Sequence, residues 1–373
     1  MTWIFWIAVA LIGYTYAGYL GWLWLRTRLR PLQVTKKTIE PFVSILMVVR
    51  DEERVLAAKI QNLLALEYPP DRMELVIVSD GSTDRTEAIL REQARNPRVI
   101  TVLNQLSRGK AAGLNDGIQF AHGEIMVFTD ARQKIEEGAL RVLIENFADK
   151  DVGCASGELM LGNPDRGEQS DGMGLYWRVE KKVRELESAS GSVVGVTGAF
   201  YGIRRDLLGP IPPEILLDDV FIPMQAVRAG KRVVFESQAR VWDVPDLGRR
   251  REFRRKVRTL SGNYQLLQLA PWLLSSTNPI RFEFISHKLM RLVVPFALVA
   301  ALLATISLQH PVYRIALLVQ LAFYALSLLA VMPLKRGVVA SGANAAFTFV
   351  LLNTAAVVAF ANFLTGRKPA WSR

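Results

Sequence analysis

Hydrophobic residues form long uninterrupted runs at the two ends of the chain. Met1 to Leu25 contains no charged side chain and is long enough to cross a bilayer core as a helix. A second apolar region contains three further candidate spans, at Leu289 to Leu308, Ile315 to Met332 and about Ala343 to Leu364. We predict a transmembrane anchor at residues 1–25 and about three C-terminal transmembrane helices within residues 287–365.

Between these ends, short β-rich apolar runs alternate with stretches of helical periodicity. The predicted strands are Phe42 to Val49, Glu74 to Ser79, Arg98 to Leu103, Glu124 to Thr129 and Val152 to Glu158. The predicted helices are Arg54 to Leu66, Asp84 to Ala94 and Lys110 to Ala121. The alternation predicts an α/β domain over residues 41–260, with a Rossmann-like, mostly parallel sheet covered by helices.

A leucine-rich stretch follows this domain at residues 261–286. It carries Trp272 and is interrupted by Pro271. Such a pattern fits a short helix that lies in the membrane interface, and it fits an ordinary buried helix equally well.

Basic residues follow the first apolar run and orient it. Arg26, Arg28 and Arg30 open a basic juxtamembrane linker at residues 26–40, so the positive-inside rule puts the α/β domain in the cytoplasm. A cleaved signal peptide is the alternative, but no basic residue precedes the run and the run is longer than the usual apolar core. Three C-terminal crossings would return the tail to the outside. The basic tail, with Arg367, favours the cytoplasm, so one of the last segments is a candidate for a re-entrant helix.

The net charge of +11 also raises the question of nucleic-acid binding. Many of the basic residues crowd next to the apolar segments, above all between residues 249 and 258. Close to a membrane this pattern fits anionic headgroups or an anionic substrate, so we expect no nucleic-acid partner. The three histidines are far apart in sequence and the single cysteine, Cys154, cannot form an intrachain disulfide, so a zinc site is not expected.

The candidate chemistry lies just after predicted strands, where ligands bind in sheets of this kind. Asp80 follows the second strand and could accept a hydrogen bond from a base or ribose. Lys110 opens a helix, where a cation and free amide groups suit phosphate oxygens. Asp130 follows the fourth strand and could hold a divalent cation that bridges a diphosphate. Helix capping by Ser82 or Thr83 and a solvated lysine at position 110 are the structural alternatives.

Four successive motifs resemble those of family-2 glycosyltransferases with the GT-A fold. They are Asp51-Glu52-Glu53 after the first strand, Ser79-Asp80-Gly81-Ser82-Thr83-Asp84, Gly109-Lys110-Ala111-Ala112-Gly113-Leu114-Asn115, and Phe128-Thr129-Asp130-Ala131-Arg132. The resemblance covers about residues 40 to 260, and the apolar flanks are similar to those of membrane-anchored polysaccharide synthases.

The resemblance implies a donor-binding set. Its members are Glu52, Asp80, Lys110, Asp130 and Arg132, with Asp80 at the nucleotide base and Asp130 as the metal ligand. Asp130 matches the first aspartate of an Asp-x-Asp motif, but Arg132 stands at the third position and removes one carboxylate. The implied cofactor is a divalent cation, Mg²⁺ or Mn²⁺.

The resemblance also assigns acceptor and catalytic residues. The glycine-rich segment around Gly198, Phe200 and Tyr201 is similar to the acceptor side of membrane-bound members, with a plain buried strand as the alternative. Asp219 matches the catalytic base and Asp218 its neighbour. Capping of the following helix is the alternative for either carboxylate.

Arg258 stands where processive synthases carry the arginine of Gln-x-x-Arg-Trp. The glutamine and tryptophan positions hold Arg255 and Thr259, so the pattern does not predict processive polymerisation.

These patterns together predict an inverting glycosyltransferase anchored in the cell membrane, with its catalytic domain in the cytoplasm. The expected donor is a nucleotide-diphosphate sugar, most simply a UDP-sugar, and the expected acceptor is lipid-linked or a polysaccharide of the cell envelope. Subunits of a synthase complex are further candidate partners. The alternative is a non-catalytic, nucleotide-binding scaffold subunit of such a complex.

Overall fold

The structure is a computed structural model that describes residues 1–163, 168–169, 175–244, 249–332 and 337–367. One sheet organises the middle of the chain. Its strands are β1 (Val43–Val49), β2 (Met73–Asp80), β3 (Val99–Asn104), β4 (Ile125–Thr129), β5 (Lys134–Ile135), β6 (Val152–Asn163), β7 (Glu168–Gln169), β8 (Phe200–Arg204) and β9 (Arg232–Asp243). The order across the sheet is β3-β2-β1-β4-β8-β6-β9-β5, and β7 pairs with β6.

The first half of the sheet is parallel, as the alternating pattern predicts. β1 pairs in parallel with β2 and with β4, and β2 pairs in parallel with β3. Every residue of β1 and β2 is buried, because helices cover both faces. The carboxyl ends of these four strands therefore meet at one edge, where the candidate residues follow them.

The second half of the sheet is mixed, so the expectation of a mostly parallel sheet holds only in part. β8 runs antiparallel to both β4 and β6, while β6 and β9 are parallel. Phe200 pairs with Thr129 at the carboxyl end of β4, so the chain enters β8 at that edge and must run back. This direction brings residues 195–199 to the same edge as the candidate donor residues.

The helices lie on both sides of the sheet and beyond it. In the α/β domain they are α2 (Leu56–Leu64), α3 (Thr86–Gln93), α4 (Lys110–Phe120), α5 (Ala139–Glu145), α6 (Leu175–Ser190), α7 (Asp218–Arg228) and α8 (Arg249–Leu269). The end helices are α1 (Thr2–Leu29), α9 (Arg281–Ser307), α10 (Pro311–Leu329) and α11 (Val338–Leu364), with π-helical turns at Tyr14–Gly18 in α1 and Ile285–Leu289 in α9.

Helix α4 lies very close to the sheet because small residues face it. A Cβ atom added at Gly117 would lie 2.3 Å from Cδ1 of Leu46 and 2.9 Å from Cγ2 of Val78. The close approach fixes the position of Lys110 at the start of the helix relative to the ends of β1 and β2.

The four end helices are long and apolar enough to cross a membrane by length and composition. They overlap the predicted spans, but α1 continues through Arg26 and Arg28 to Leu29, and α9 begins at Arg281 and not at Leu289. Small residues bring α1 and α9 together, with Ala8 of α1 buried in one cluster with Ala297, Ala301 and Ala304.

The predicted interfacial segment at residues 261–286 is divided between two helices. α8 continues to Leu269, a short 3₁₀ helix follows at Pro271–Leu274, and α9 begins at Arg281. Leu266, Ala270 and Leu273 are buried in the core of the α/β domain. This part of the segment therefore corresponds to the buried-helix alternative.

Candidate active site

The loops after β1 and β2 are tied to each other by hydrogen bonds. The Asp51 carboxylate accepts from the backbone N–H and the hydroxyl of Thr83, at 2.7 and 3.1 Å. The backbone N–H of Glu53 donates to Asp84 (3.1 Å), and the Glu53 carboxylate accepts from the Arg85 N–H (3.1 Å). These carboxylates hold the loops in place and so form a fixed rim for the candidate donor site.

Asp80 is fully buried and holds the loop that leads into α4. Its two carboxylate oxygens accept hydrogen bonds from the Ser107 hydroxyl (2.8 Å), the Arg108 N–H (2.7 Å) and the Gly109 N–H (2.9 Å). The direct contact with a nucleotide base that the resemblance implies is not available in this arrangement. Asp80 instead fixes the loop that presents Lys110.

Lys110 joins two carboxylates that are far apart in sequence. Its Nζ lies 3.0 Å from Oδ1 of Asp130, at the end of β4, and 3.0 Å from Oδ2 of Asp218, at the start of α7. Burial by itself would lower the pKa of Lys110, but the two carboxylates raise it well above its usual value. The ammonium is therefore a fixed positive charge at the centre of the site.

Asp219 lies beside this bridge and keeps its carboxylate open. Among the described residues it makes no side-chain hydrogen bond or ion pair, and a Cβ at Gly198 would lie 3.8 Å from its Oδ2. Gly198 therefore leaves space in front of the carboxylate. Burial, followed by the charge of Asp218, raises the pKa of Asp219 to about 6, although Lys288, Lys110 and Arg184 oppose the shift.

Glu52 and Arg132 lie at the outer side of Asp130. Burial raises the pKa of the Glu52 carboxyl, the Arg132 charge opposes that shift, and the Asp130 charge adds to it. Arg132 is exposed, and Asp130 keeps 40% of its side chain exposed. The structure therefore groups three of the predicted donor residues, Glu52, Asp130 and Arg132, with Lys110.

Lys59 lies beneath Asp130 and was not found from the sequence. Its buried Nζ donates to the Thr129 hydroxyl (3.0 Å) and to the carbonyl oxygen of Gln133 (2.6 Å), on either side of Asp130. Burial lowers its pKa to about 7, which the Asp130 charge partly opposes. The only sequence signal was a lysine on the apolar face of a predicted helix.

Phe200 and Tyr201 are buried, which corrects the prediction that they stack on an acceptor sugar. Both side chains are fully buried in β8, and the Tyr201 ring stacks on Phe128 with centroids 4.9 Å apart. The reason is that β8 is an inner strand of the sheet, and its side chains enter the apolar clusters on the two faces, Phe200 on one and Tyr201 on the other. The structure therefore agrees with the alternative interpretation, in which Phe200 and Tyr201 belong to a plain buried strand.

Arg258 lies on α8 and is partly buried. Within the described part of the chain its side chain makes no hydrogen bond or ion pair, so the structure does not connect it to Lys110, Asp218 or Asp219. A cation from outside the α/β domain, Lys288 of α9, lies near Asp219. Its Nζ is 3.5 Å from the position that a Cβ atom at Gly195 would occupy. Lys288 was missed because it stands at the edge of an apolar run, where a basic residue reads as an orientation signal.

The protein side of the candidate metal site is a single carboxylate. Over the described ranges no group of three or more His, Cys, Asp or Glu side chains could hold a metal ion. Asp130 is accessible, but Arg132 follows where a second carboxylate would stand. Any divalent cation here would need most of its oxygen ligands from a substrate or from water.

The sequence matches a known family over part of the α/β domain. Residues 44–211, a little under half of the chain, match the model of the family described as "Glycosyl transferase family 2". This stretch contains Glu52, Lys110 and Asp130 and ends before Asp218 and Asp219. The α/β domain is therefore similar to a family-2 glycosyltransferase domain, and we call it the glycosyltransferase domain.

Curated relatives of this domain include two synthases. The chain is 30% identical over 186 residues to the beta-monoglucosyldiacylglycerol synthase of Nostoc sp., a match that covers 48% of this chain and 40% of the relative. It is 24% identical over 234 residues to the poly-beta-1,6-N-acetyl-D-glucosamine synthase of Staphylococcus aureus, covering 60% and 55%. The chain therefore spans about half the length of the curated relatives it matches.

Among solved structures, the mannosyltransferase PcManGT from Pyrobaculum calidifontis has the same fold. That structure was determined in complex with GDP-Man and Mn²⁺, and it covers 98% of this chain and 99% of its own with a TM-score of 0.74 and 22% identity. The GT-A architecture expected from the sequence is thereby confirmed, including the apolar helices at both ends.

Proposed function

We propose that this protein is a membrane-anchored, inverting glycosyltransferase that moves a sugar from a nucleotide-diphosphate sugar to an acceptor at the membrane. The observation that carries the proposal is the pair formed by an open Asp219 carboxylate and the Lys110 bridge between Asp130 and Asp218. A proton acceptor and a fixed cation thus lie side by side in an α/β domain of which residues 44–211 match family-2 glycosyltransferases.

The donor binds across the carboxyl ends of β1, β2 and β4. The loops after β1 and β2 hold the nucleoside, and Lys110 and Arg132 attract the diphosphate, because both are cations next to the helix and strand ends. Asp80 contributes by holding the loop at residues 107–109. The solved mannosyltransferase structure contains GDP-Man, whereas the donor expected from the sequence of this chain is a UDP-sugar. Turnover of a panel of nucleotide-sugars would identify the nucleotide.

Asp219 acts as the general base. In an inverting transfer, a carboxylate takes the proton of the acceptor hydroxyl while its oxygen attacks the anomeric carbon opposite the leaving diphosphate. A pKa near 6 keeps Asp219 mostly ionised at neutral pH and still basic enough to take a proton. Asp218 is held beside the base by Lys110.

A divalent cation would be held by the Asp130 carboxylate together with the diphosphate of the donor. Mg²⁺ commonly binds through one or two carboxylates plus substrate phosphates, so a single aspartate fits this role. When bound, the cation would stabilise negative charge on the departing diphosphate.

We also propose that the end helices cross the cell membrane and that the glycosyltransferase domain lies in the cytoplasm. Four helices have the necessary length and composition, and Arg26, Arg28 and Arg30 follow the first of them. An acceptor that is lipid-linked or a growing glycan would then meet Asp219 close to the bilayer surface.

The test is release of nucleoside diphosphate by detergent-purified protein supplied with native membrane lipids, Mg²⁺ or Mn²⁺, and a panel of nucleotide-sugars. We expect release from one donor, and a loss of about 10²-fold to 10⁴-fold in the Asp219→Asn variant because the general base is removed. The matched control is Asp206→Asn, which changes an exposed carboxylate on a short helix after β8.

Turnover by Asp219→Asn at the wild-type rate would contradict the assignment of the base. Nucleotide binding without turnover from any donor in the wild type would favour the scaffold subunit instead.

A further inference from the structure

A network of buried charged groups connects the glycosyltransferase domain to the end helices. His287 of α9 binds two carboxylates of α6, with Nδ1 2.8 Å from Oε1 of Glu187 and Nε2 3.0 Å from Oε1 of Glu180. Arg291 donates to the other oxygen of Glu180 (2.9 Å), and the Tyr19 hydroxyl of α1 donates to Glu187 (2.7 Å). The carboxylates in this network already have partners within it.

Lys288 differs from its neighbours in this network. In the described part of the chain its amine makes no hydrogen bond or ion pair, although it stands one residue after the doubly bound His287. Lys288 and Asp219 both approach Gly195. A Cβ atom added at Gly195 would lie 3.5 Å from the Nζ of Lys288 and 3.6 Å from the backbone oxygen of Asp219. Beside the proposed base the structure thus holds an amine that makes no ion-pair contact with any described residue.

Arg184 adds a second positive charge near Asp219. Its Nε lies 3.9 Å from Oε1 of Glu180, but that carboxylate is shared with His287 and with Arg291. Glu180 therefore neutralises only part of the surrounding positive charge. Among the described residues neither Glu180 nor Asp219 forms an ion pair with Lys288, so the Lys288 amine can bind an anionic group next to Asp219.

The position along α9 indicates where such an anion would come from. Lys288 lies within the first ten residues of α9, next to the glycosyltransferase domain. Arg26, near the end of α1, forms an ion pair with Glu283, so the domain-proximal ends of α1 and α9 lie at the same level. If these helices cross the bilayer, this level is that of the lipid headgroups.

We propose that Lys288, supported by Arg184, binds a phosphate group of the acceptor and so presents the neighbouring acceptor hydroxyl to Asp219. This inference rests on the proposed function and names the substrate class: a phosphate-bearing lipid. The two sources of that chemistry are a phospholipid with a hydroxyl in its headgroup and a diphosphate-linked lipid sugar. A neutral diacylglycerol lacks the group that Lys288 would bind.

The test compares three acceptors with the full-length protein in detergent: phosphatidylglycerol, a polyprenyl-diphosphate-linked sugar, and diacylglycerol. Transfer of labelled sugar into lipid is measured for the wild type, Lys288→Met, Lys288→Arg, and the control Arg281→Gln, which changes an exposed cation on the same helix. We expect one phosphate-bearing lipid to be the preferred acceptor, which also identifies the source.

The expected effect of Lys288→Met is a rise of about tenfold in the KM for that acceptor, with the KM for the donor changed by less than about twofold. Lys288→Arg should restore most of the acceptor affinity because it keeps the charge. Arg281→Gln should resemble the wild type.

Two results would overturn the inference while leaving the transferase intact. One is preference of the wild type for diacylglycerol, and the other is an equal acceptor KM in Lys288→Met and the wild type. Absence of donor turnover in the wild type would instead count against the proposed function itself, so the two failures are distinguishable.

Discussion

At the scale of single residues, the site separates two neighbouring carboxylates by their surroundings. Asp218 shares the Lys110 ammonium with Asp130, at 3.0 Å from each. Asp219 has no such partner among the described side chains, and its pKa is raised to about 6. Adjacent acids whose environments differ in this way take different roles, one to hold charge and the other to accept a proton.

This difference predicts the pH dependence of transfer. Because Asp219 must be ionised to act as a base, kcat/KM should rise with pH to a midpoint near 6 and then level off. Asp218→Asn removes a negative charge that disfavours ionisation of Asp219, so the midpoint should move below 6. The measurement is a pH profile of nucleoside diphosphate release at low donor concentration. A midpoint that stays constant or rises in Asp218→Asn would show that the two carboxylates are not coupled as proposed.

At the scale of elements, the regular part of the domain could be predicted from its sequence. Short apolar runs gave β1 to β4 within about two residues, because each run is bounded by polar residues and those of β1, β2 and β4 are buried on both faces. The pattern also placed Lys110 at the start of a helix and Asp130 directly after the fourth strand, where the structure has them.

The remaining features depend on contacts that no local pattern contains. Phe200 and Tyr201 looked like exposed acceptor residues, but β8 pairs with β4 and β6, which come from distant parts of the chain. Lys288 likewise reaches Asp219 only because α9 packs against the glycosyltransferase domain. Sequence spacing gave no information about either arrangement.

The loop held by Asp80 gives a prediction at this scale. If Asp80 only fixes residues 107–109, Asp80→Asn should weaken the binding of all nucleoside diphosphates by a similar factor. Loss of hydrogen bonds to a buried carboxylate costs about 1.5–3 kcal/mol, so we expect the affinity to fall by about tenfold to 100-fold. Calorimetric titration with UDP, GDP and ADP measures the effect. A loss confined to one nucleotide would indicate instead that Asp80 recognises the base directly.

At the scale of the whole molecule, the glycosyltransferase domain packs directly against the end helices. Tyr264 of α8 packs against Phe360 and Phe363 of α11, with ring centroids 5.8 and 5.2 Å apart. The domain is thus in contact with both the N-terminal and the C-terminal helices. If the end helices cross a membrane, these contacts fix which ends of α9 and α11 lie on the same side as the domain.

The number of crossings gives the last prediction. α10 has 19 residues and α11 has 27, so each can cross a hydrocarbon core of about 30 Å. The contacts of Phe360 and Phe363 with Tyr264 place the carboxyl end of α11 beside the glycosyltransferase domain. We therefore expect the basic tail with Arg367 on the same side of the membrane as the domain, and one of α10 and α11 to be re-entrant although each is long enough to cross.

Single cysteines can report this arrangement, because the native Cys154 is buried and burial raises the pKa of its thiol, which keeps it unreactive. In intact cells, an impermeant maleimide should label Gln309→Cys, between α9 and α10. It should label Thr365→Cys, after α11, and Glu92→Cys, in the glycosyltransferase domain, only after permeabilisation. Labelling of Glu92→Cys in intact cells would reverse the proposed orientation. Labelling of Thr365→Cys together with Gln309→Cys in intact cells would mean that both α10 and α11 cross and that the tail lies outside.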